Sequence, residues 1–331
     1  MKPHPNFNTS IHKLIYIIFF ALLLATKAMA VICPGPAQEA DITSADDFEY
    51  VINNCDLAGG GIFNLVNDID LTGKKLRRVD TFSGALYGRT PSSKPHVISN
   101  FSSDHALFGT LSNASILNIK FVNANLNVVD AQAPTFGVLA EAMVGHNEIV
   151  NVDVRGNITY NSDASVDIGG LVGEVVSTIS IQIIQSSFTG NISAKSTADM
   201  VIIGGLIGGN DTIDGNLIIT DSYAAGTIAG GNYAGGLIGD GQPSTTINNS
   251  YSTMKLPASP GSGGLSFGFT GTCTNSYWDI NTSGTSTSEA CANTGGKTTQ
   301  KMQTASTFSK WDTNIWQLSD GAYPQLLWEL K

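Results

Sequence analysis

The segment from Ile203 to Ile228 reads IGGLIGGNDTIDGNLIITDSYAAGTI, and the segment from Tyr233 to Leu256 reads YAGGLIGDGQPSTTINNSYSTMKL. Both contain Gly-Gly-Leu-Ile-Gly, then a polar stretch of variable length, and then Asp or Asn followed by Ser-Tyr. Catalytic motifs are rarely repeated in tandem, whereas structural units that bury their faces on copies of themselves must be repeated. The pattern therefore indicates a structural repeat.

The repeat extends beyond these two copies and has two anchor positions. The first is a leucine that recurs every 28 to 35 residues: Leu107, Leu139, Leu171, Leu206, Leu237 and Leu265. The second is an apolar or aromatic residue that follows each leucine: Phe121, Val154, Phe188, Tyr223, Tyr251 and Tyr277. Because both sets advance together while the lengths between them vary, each repeat is predicted to be one structural turn with loops of variable length.

Residues near the second anchor alternate in the manner of β-strands. Ile219, Asp221 and Tyr223 illustrate this, since every second side chain of a strand lies on one face. We therefore predict an all-β fold, a right-handed parallel β-helix with the leucines inside and the second anchors along one wall; an antiparallel sandwich is the alternative. Under this prediction Leu206→Asp should disrupt the fold, whereas Thr245→Asp should not.

The first thirty residues are typical of a signal peptide. Lys2 and Lys13 precede the apolar run Leu14–Ala25, and Ala28 and Ala30 complete a small-residue cleavage site. The apolar run is shorter than the roughly 20 residues that a membrane span needs. We therefore expect export and no stable membrane insertion after cleavage, with the mature protein outside the cell, on its surface or in the periplasm.

Composition limits the class of partner. Without residues 1–30 the chain keeps 14 of its 17 basic residues against 27 acidic ones, because Lys2, Lys13 and Lys27 are removed, and its net charge is then −13. Nucleic-acid binding depends on Lys and Arg, so a polyanionic surface disfavours it. Such a surface permits neutral glycans or cationic partners.

The four cysteines lie in two local pairs near the two ends of the mature chain. For an exported protein the simplest of the three possible pairings is Cys33 with Cys55 and Cys273 with Cys291.

The central repeats resemble the GLUG-type repeats of bacterial secreted and surface proteins. The likeness rests on GGLVGEVVSTISIQIIQSSFTGNI, GGLIGGNDTIDGNLIITDSYAAGTI and GGLIGDGQPSTTINNSYSTMKL, and it weakens where Val138 and Glu141 replace two glycines, so that coil is expected to be distorted. The resemblance implies a secreted or surface β-helix and no single activity, because such repeats occur in adhesin-like proteins and as accessory regions of immunoglobulin A1 peptidases. The expected organisation is a signal peptide (1–30), an N-terminal cap with leading coils (31–106), repeats (107–278) and a C-terminal cap (279–331).

Both ends of a stack of coils expose sheet edges that need covering. At the N-terminal end, Ser44 followed by Asp47 resembles a capping box, and Phe48, Val51 and Ile52 follow at helical spacing, which predicts a short capping helix held by Cys55. At the C-terminal end, the sequence is rich in aromatic residues, namely Phe308, Trp311, Trp316, Tyr323 and Trp328. This cluster is interpreted as a hydrophobic cap, with a carbohydrate-binding platform as the alternative.

Three motifs resemble catalytic or ligand-binding signatures, but each lacks a part that the corresponding site requires. GLSFG at Gly264–Gly268 matches the nucleophile pattern G-x-S-x-G, but all five histidines precede Ser266 and the motif occupies the repeat's own position. GGKTT at Gly295 lacks the glycine that a phosphate loop needs, because Cys291 stands there. His146 and Glu148 do not form the H-E-x-x-H motif of zinc peptidases.

Asp68 and Asp70 are the strongest acidic candidates in the sequence. Their spacing places both side chains on one strand face, where they could bind a cation or act as acid and base. The same NDIDL also matches the leading strand of the GLUG-type resemblance, where it is structural. We therefore expect no catalytic residue, no cofactor and no metal ion.

The function expected from the sequence is adhesion, or interaction with matrix or host proteins or with glycans, without catalysis. The long Thr-, Asn- and Ser-rich flank of the column would supply many weak contacts. A polysaccharide-active lyase or hydrolase on the same fold is the runner-up, and it would need several acidic or basic residues on one coil face. A periplasmic structural protein is the third hypothesis.

Overall fold

The computed structural model describes residues 31–88, 94–129, 134–176, 179–212, 215–258, 261–268, 271–290 and 294–331. The predicted signal peptide and Cys291 lie outside the described residues. Residues Cys33–Lys331 belong to one compact unit.

The strands of the first half are β1 (Glu39–Ile42), β2 (Ile62–Leu65), β3 (Ile69–Asp70), β4 (Val79–Phe82), β5 (Ala85–Gly88), β6 (His96–Ser99), β7 (Ser102–Ser103), β8 (Phe108–Ser112), β9 (Ser115–Val129), β10 (Thr135–Phe136), β11 (Ala140–Val144), β12 (Asn147–Asn161), β13 (Val166–Gly169) and β14 (Val172–Val175). Those of the second half are β15 (Ile181–Ile184), β16 (Ser187–Lys195), β17 (Val201–Gly204), β18 (Ile207–Asn210), β19 (Leu217–Thr220), β20 (Tyr223–Ala229), β21 (Tyr233–Gly235), β22 (Ile238–Asp240), β23 (Thr245–Asn248), β24 (Tyr251–Lys255), β25 (Gly261–Gly263), β26 (Ser266–Phe267), β27 (Thr272–Thr274), β28 (Tyr277–Asp279), β29 (Gly296–Lys297), β30 (Trp316–Gln317) and β31 (Gln325–Leu326). The helices are α1 (Ala45–Asn54), α2 (Ile280–Ser283) and α3 (Thr299–Met302), with a 3₁₀ turn at Ala305–Phe308.

The fold is the predicted right-handed parallel β-helix, with about six turns. Face 1 contains β10, β13, β17, β21 and β25; face 2 contains β4, β8, β11, β14, β18, β22 and β26; face 3 contains the remaining strands except β30 and β31. All described pairings within the three faces are parallel, and the antiparallel pair among the described residues is β30 with β31. The antiparallel sandwich is therefore wrong.

The leucine anchors lie in the turn between face 1 and face 2, and their side chains are fully buried. Backbone hydrogen bonds link successive members: the amide of Leu171 donates to Leu206 at 2.9 Å, and the amide of Leu206 donates to Leu237 at 2.8 Å. Thr245 is also buried, and its hydroxyl accepts a hydrogen bond from Asn210, so it is not the tolerant site that the sequence suggested.

The glycines beside each leucine allow neighbouring backbones to approach closely. A Cβ atom at Gly205 would overlap the carbonyl oxygen of Gly236 in the next coil, and one at Gly208 would lie 2.5 Å from the backbone nitrogen of Ile168 on face 1. A side chain at either position would have to separate the backbones, which explains Gly-Gly-Leu-x-Gly physically.

The coil that carries Val138 and Glu141 keeps the same pairing as its neighbours. Ala140 pairs with Val172, as Val172 pairs with Ile207 in the next coil. The carboxylate of Glu141 is buried and accepts hydrogen bonds at 2.6 and 2.8 Å from the guanidinium of Arg78, two coils away in the sequence. The expected distortion is absent from this pairing, because the ion pair satisfies the carboxylate.

The Asp/Asn-Ser motif forms a corner within face 3. Six successive corners have a left-handed backbone conformation, with φ between 45° and 60°, at Asn118, Asn151, Gln185, Asp221, Asn249 and Asn275. A serine follows the last four of these residues, whereas Ile119 and Val152 follow the first two. The serine that follows accepts a hydrogen bond from the backbone of the preceding coil: the amide of Ser186 donates to Ser222 Oγ, and that of Ser222 donates to Ser250 Oγ, each at 3.1 Å. Asparagine tolerates the left-handed conformation and serine satisfies buried amides, so the motif repeats for structural reasons.

The second anchors do not form one ladder, because their register shifts by one residue. Phe188 pairs with Ala224 and not with Tyr223, and Tyr223 pairs instead with Ser187. Successive residues of a strand point to opposite sides. Phe121, Val154 and Phe188 are therefore inside the column, whereas Tyr223, Tyr251 and Tyr277 belong to an outer column.

The predicted N-terminal cap is present. Ser44 caps helix α1 by accepting a hydrogen bond from the amide of Asp47, and Phe48, Val51 and Ile52 are buried. The predicted disulfide between Cys33 and Cys55 is confirmed. Cys273 is also disulfide-bonded.

The aromatic-rich C-terminal segment is confirmed, and it covers the side of the column. The end of the column is covered by residues 280–290, where the amides of Gly264 and Leu265 donate to Thr287 and Ser288.

Residues 305–331, called the strap here, lie along the outside of face 3. Its three indoles donate at 2.8 to 2.9 Å to three left-handed corners: Trp311 to the backbone oxygen of Asn275, Trp316 to the carboxylate of Asp221, and Trp328 to the backbone oxygen of Gln185.

Candidate functional site

The motifs singled out in the sequence have structural partners. Ser266 is buried on β26, where its hydroxyl donates to the carbonyl oxygen of Phe267 at 2.9 Å. The ammonium group of Lys297, in GGKTT, donates to the backbone oxygen of Thr294 at 2.9 Å and lies 5.1 Å from the ring centre of Tyr277. His146 Nε2 lies 3.5 Å from Glu148 Oε1 as a half-exposed surface pair. In the described part of the chain, no group of three His, Cys, Asp or Glu side chains is arranged to hold a metal ion.

Asp68 and Asp70 are each engaged by separate neighbours. Asp68 accepts the backbone amide of Val97 at 2.9 Å, and its other contact is the His96 ring at 3.3 Å. Asp70 accepts hydrogen bonds from Thr72 and from the side chain of Asn100. The hydrogen bonds from Asn100 and Thr72 lower the pKa of Asp70. These contacts belong to the stacking of leading coils and do not direct the two carboxylates at one point.

Four other carboxylates gather on the outer side of faces 1 and 2, which the sequence did not reveal. We call this region the acidic groove; its members are Asp167 on β13, Glu174 on β14, Asp211 after β18, and Asp240 on β22. Glu174, Gly209 and Asp240 are paired neighbours across three strands of face 2. A Cβ atom at Gly209 would overlap Oδ2 of Asp167, so the glycine makes room for that carboxylate between the other two.

Burial and the charges of neighbouring carboxylates raise the pKa values of Asp167, Glu174 and Asp240. Burial, and then the negative charges of Glu174, Asp211 and Asp240, raise the pKa of Asp167 to about 7. Burial, together with the charge of Asp211 and a hydrogen bond to it, raises the pKa of Glu174 to about 7. With a pKa of about 7, Glu174 is partly protonated near neutral pH, and its hydrogen bond to Asp211 holds the two carboxyl groups together.

A surface cavity of about 720 Å³ adjoins the groove at Asp211. Its lining residues are Asp211, Thr212, Gln242, Pro243 and Ser244. The hydroxyls of Thr212 and Ser244 are buried without a hydrogen-bond partner among the described residues. Buried hydroxyls without partners are costly, so they mark a place where a polar ligand or water would be stabilised.

Aromatic side chains border the groove on its C-terminal side. Phe267 pairs with Asp240 on face 2, and Tyr233 lies two strands from Asp167 on face 1. The two rings stack with their centres 4.9 Å apart, and both are half-exposed. The groove thus combines carboxylates, free hydroxyls and an aromatic pair, a set that suits recognition of sugars or organic cations.

Face 3 carries a second candidate surface, which we call the amide face. It comprises eight outward residues in the second halves of β9, β12, β16 and β20: Asn125, Asn127, Asn157, Thr159, Asn191, Ser193, Thr227 and Ala229. Side-chain hydrogen bonds join Asn157 to Asn125 at 3.0 Å and Asn191 to Asn157 at 2.9 Å. These eight residues are uncharged, and three cations border them: Arg155 on β12, Lys195 on β16, and Lys255, which pairs with Thr227 on the next strand. The result is a flat uncharged array with a repeat of about 4.8 Å along the column.

A sequence signal for the acidic groove exists, although it is weak. The residue after Gly-Gly-Leu-x-Gly is Glu174, Gly209 and Asp240 in three successive repeats, so two acids recur at one repeat position. Asp167 has no such signal, because only the close approach of faces 1 and 2 brings it there. Asp211 also has none, and the backbone hydrogen bond of its amide to Val175 places it beside the coil of Glu174.

A known structure shares this fold. The chain is similar to a solved structure called "IgA1 Protease", with a TM-score of 0.52 and 22% identity over 71% of this chain and 21% of that one. It is also similar to a "putative immunoglobulin A1 protease from Bacteroides ovatus", with a TM-score of 0.49 and 18% identity over 88% of this chain and 92% of that one. The chain thus spans about a fifth of the first protein's length, and the likeness concerns the β-helix. No protein-family model and no curated protein matches the sequence.

Proposed function

We propose that this chain is an exported solenoid of the GLUG-repeat type that binds extracellular glycans or matrix proteins without catalysis, as an adhesin does. The observation that carries the proposal is the amide face: a rigid, uncharged array of amides and hydroxyls on adjacent strands.

The geometry of this face suits neutral polysaccharides. Asn157 accepts a hydrogen bond from Asn191 at its Oδ1 and donates one to Asn125 from its Nδ2, so its orientation is fixed while its amide keeps a second N–H. Ordered side chains lose less conformational entropy on binding than free ones. Repetition at strand spacing multiplies weak contacts along an extended chain, which produces avidity without a deep pocket.

Export is supported by two features. The sequence begins with a segment that has the composition of a signal peptide, and Cys33 forms a disulfide bond with Cys55. Disulfide bonds form and persist in oxidising compartments, including the periplasm and the extracellular space. Among the described residues, no helix has the length and apolar character to cross a membrane.

The test is binding of the protein from Val31 onward to an array of neutral glycans and matrix proteins. Asn157→Asp and Asn191→Asp place charge on the amide face, and Glu148→Gln, at a half-exposed site elsewhere, is the control. Retention by the parent protein and by Glu148→Gln, with loss in the asparagine variants, would support the proposal. Binding that survives both asparagine substitutions would contradict a role for this face.

The acidic groove favours a second candidate, a polysaccharide-active enzyme. A carboxyl pair in which one member keeps its proton can supply a general acid and a general base, as Glu174 and Asp211 would here. Product analysis on every polysaccharide that binds distinguishes the two functions. Shortened sugars that disappear with Glu174→Gln would favour the enzyme, and intact sugars would favour adhesion.

A further inference from the structure

We propose that the acidic groove is a binding site for the protonated amino groups of a saccharide, an oligomer of amino sugars. This site is separate from the amide face, so it does not depend on the function proposed for that surface. Three independent features of the groove carry the inference: its charge, its hydroxyls without partners, and its aromatic border.

Among the described residues, no positively charged side chain acts on Asp167 or Asp240. The charged groups that act on Asp167 are Glu174, Asp211 and Asp240, and Asp240 is acted on by Asp211 and Glu289. All of these neighbours are carboxylates. Repulsion among them is relieved either by retaining protons or by binding a cation. An ammonium ion carries a positive charge and donates three hydrogen bonds, so it can neutralise and bind the carboxylate oxygens that remain unprotonated.

The arrangement favours an extended polycation. The Cα atoms of Glu174 and Asp240 are two strand spacings apart, which is about 10 Å. That spacing suits charges distributed along a chain, with the carboxylate of Asp167 over Gly209 between the two ends. Amino-sugar oligomers carry one amino group per ring, so successive rings can address successive coils.

The neighbouring groups suit the sugar ring itself. Thr212 is 5% exposed, and its hydroxyl lines the same cavity as Asp211 without a hydrogen-bond partner among the described residues. A sugar hydroxyl entering this cavity would satisfy it. At the other side, the half-exposed stack of Tyr233 and Phe267 offers an apolar surface for a ring and a favourable site for a nearby cation.

The experiment compares two tetramers of equal length, one of glucosamine and one of N-acetylglucosamine, by isothermal titration calorimetry on the protein from Val31 onward. The acetyl group removes the charge and keeps the ring. The titration is run at low ionic strength and at two pH values: a mildly acidic one, where the amines carry their protons, and one near 7, where Asp167 and Glu174, with pKa values of about 7, are partly ionised. We expect the glucosamine tetramer to bind at least about tenfold more tightly, and added salt to weaken it. Equal binding of the two tetramers would overturn the proposal.

Variants then locate the site. Glu174→Gln with Asp240→Asn should weaken the glucosamine tetramer at least about tenfold, whereas Glu148→Gln should not. Thr212→Val should weaken it by a smaller factor. Melting temperatures measured beforehand identify any variant that fails to fold, and the comparison of the tetramers on the unchanged protein does not depend on them. Binding that the double variant leaves unchanged, or displacement of the tetramer by low concentrations of calcium, would also overturn the assignment.

Discussion

Two columns of side chains lie on the same strands of face 3 and differ in their exposure to solvent. One comprises the outward residues Lys120, Asp153, Ser187, Tyr223, Tyr251 and Tyr277, and the strap covers it. The other, five residues further along β9, begins at Asn125, continues through Asn157 and Asn191, and is open to solvent. Identical backbone geometry therefore produces a buried seam and an exposed surface, and the difference lies in the side chains.

The comparison links coverage to side-chain polarity: the outer column that is covered is the aromatic one. Tyr223 and Tyr251 stack with their ring centres 5.0 Å apart, so this column would expose a continuous aromatic surface. The strap buries that surface with its own aromatic residues, and Tyr251 donates from its hydroxyl to the backbone oxygen of Pro324 at 2.8 Å. The amides of the open column bond to each other and to water, so they need no cover.

We expect the largest loss of stability from a substitution in the core, on which both columns rest. Leu206 is fully buried in the turn between faces 1 and 2. Leu206→Asp places an unpaired charge there and should cost at least about 5 kcal/mol, enough to unfold the protein. Thr159→Asp, on the amide face, is the matched control. Equal melting temperatures for the two variants would contradict the stacked-coil arrangement.

Removing a strap side chain should destabilise the protein far more than removing a side chain from the open column. Trp316→Ala removes a fully buried side chain that packs on Tyr251, and it leaves the Asp221 carboxylate without its 2.9 Å donor. We expect a loss of about 3–5 kcal/mol in the free energy of unfolding. Thr159→Ala should change it by less than about 0.5 kcal/mol. Chemical denaturation measures both, and similar values would show that the strap adds little to the column it covers.

The sequence predicted the fold well because the evidence for it is local and repeated. Leu206 and its equivalents mark the interior of each coil, and the Asp/Asn-Ser motif marks a corner whose backbone conformation those residues tolerate. The sequence did not distinguish the inward second anchors from the outward ones. Phe188 and Tyr223 differ in register by one residue, and aromatic character alone does not tell which side of a strand a residue faces.

The candidate sites depend on contacts between coils, which explains why the sequence revealed them only in part. An uncharged flank was expected, but not its position on face 3 beside the strap. Asp68 and Asp70 were favoured because they are adjacent in the chain, whereas the acidic groove joins Asp167 to residues of later coils. The approach of faces 1 and 2 at glycines such as Gly208 creates that proximity, and it cannot be read from spacing.

A third prediction concerns pH, since the seam beneath the strap holds a buried carboxyl. Burial, and then the charge of Asp153, raise the pKa of Glu329 to about 7. Ser187 lies 2.7 Å from Glu329 and 3.1 Å from Asp153, and it has one hydrogen to give to the two groups. A proton on the carboxyl of Glu329 provides the second hydrogen that these two contacts of Ser187 need. Lys120 and Arg155 also face the pair, and Tyr223 donates to Glu329 at 2.8 Å.

Because the pKa is raised in the folded state, the folded protein binds more protons than the unfolded chain between their two pKa values. The stabilisation by Glu329 is complete below the ordinary value of 4.5 and is lost as the pH rises through about 7. We expect the loss to be about 2 kcal/mol. Glu329→Gln should flatten this part of the profile of melting temperature against pH, while Thr159→Ala should keep it. Parallel profiles for the Gln variant and the parent protein would contradict the assignment of the proton to this seam.

The smallest effect on stability is expected in the open column, and there the effect on binding should exceed it. Asn157 is exposed, and its side chain exchanges hydrogen bonds with Asn125 and Asn191. Each such bond competes with water, so Asn157→Ala should lower the free energy of unfolding by no more than about 1 kcal/mol. If the ladder is a binding surface, the same change should weaken retention on neutral glycans several-fold, because it interrupts the array at its centre. A stability loss with unchanged retention would show that the ladder serves the column alone, as the strap does on the neighbouring one.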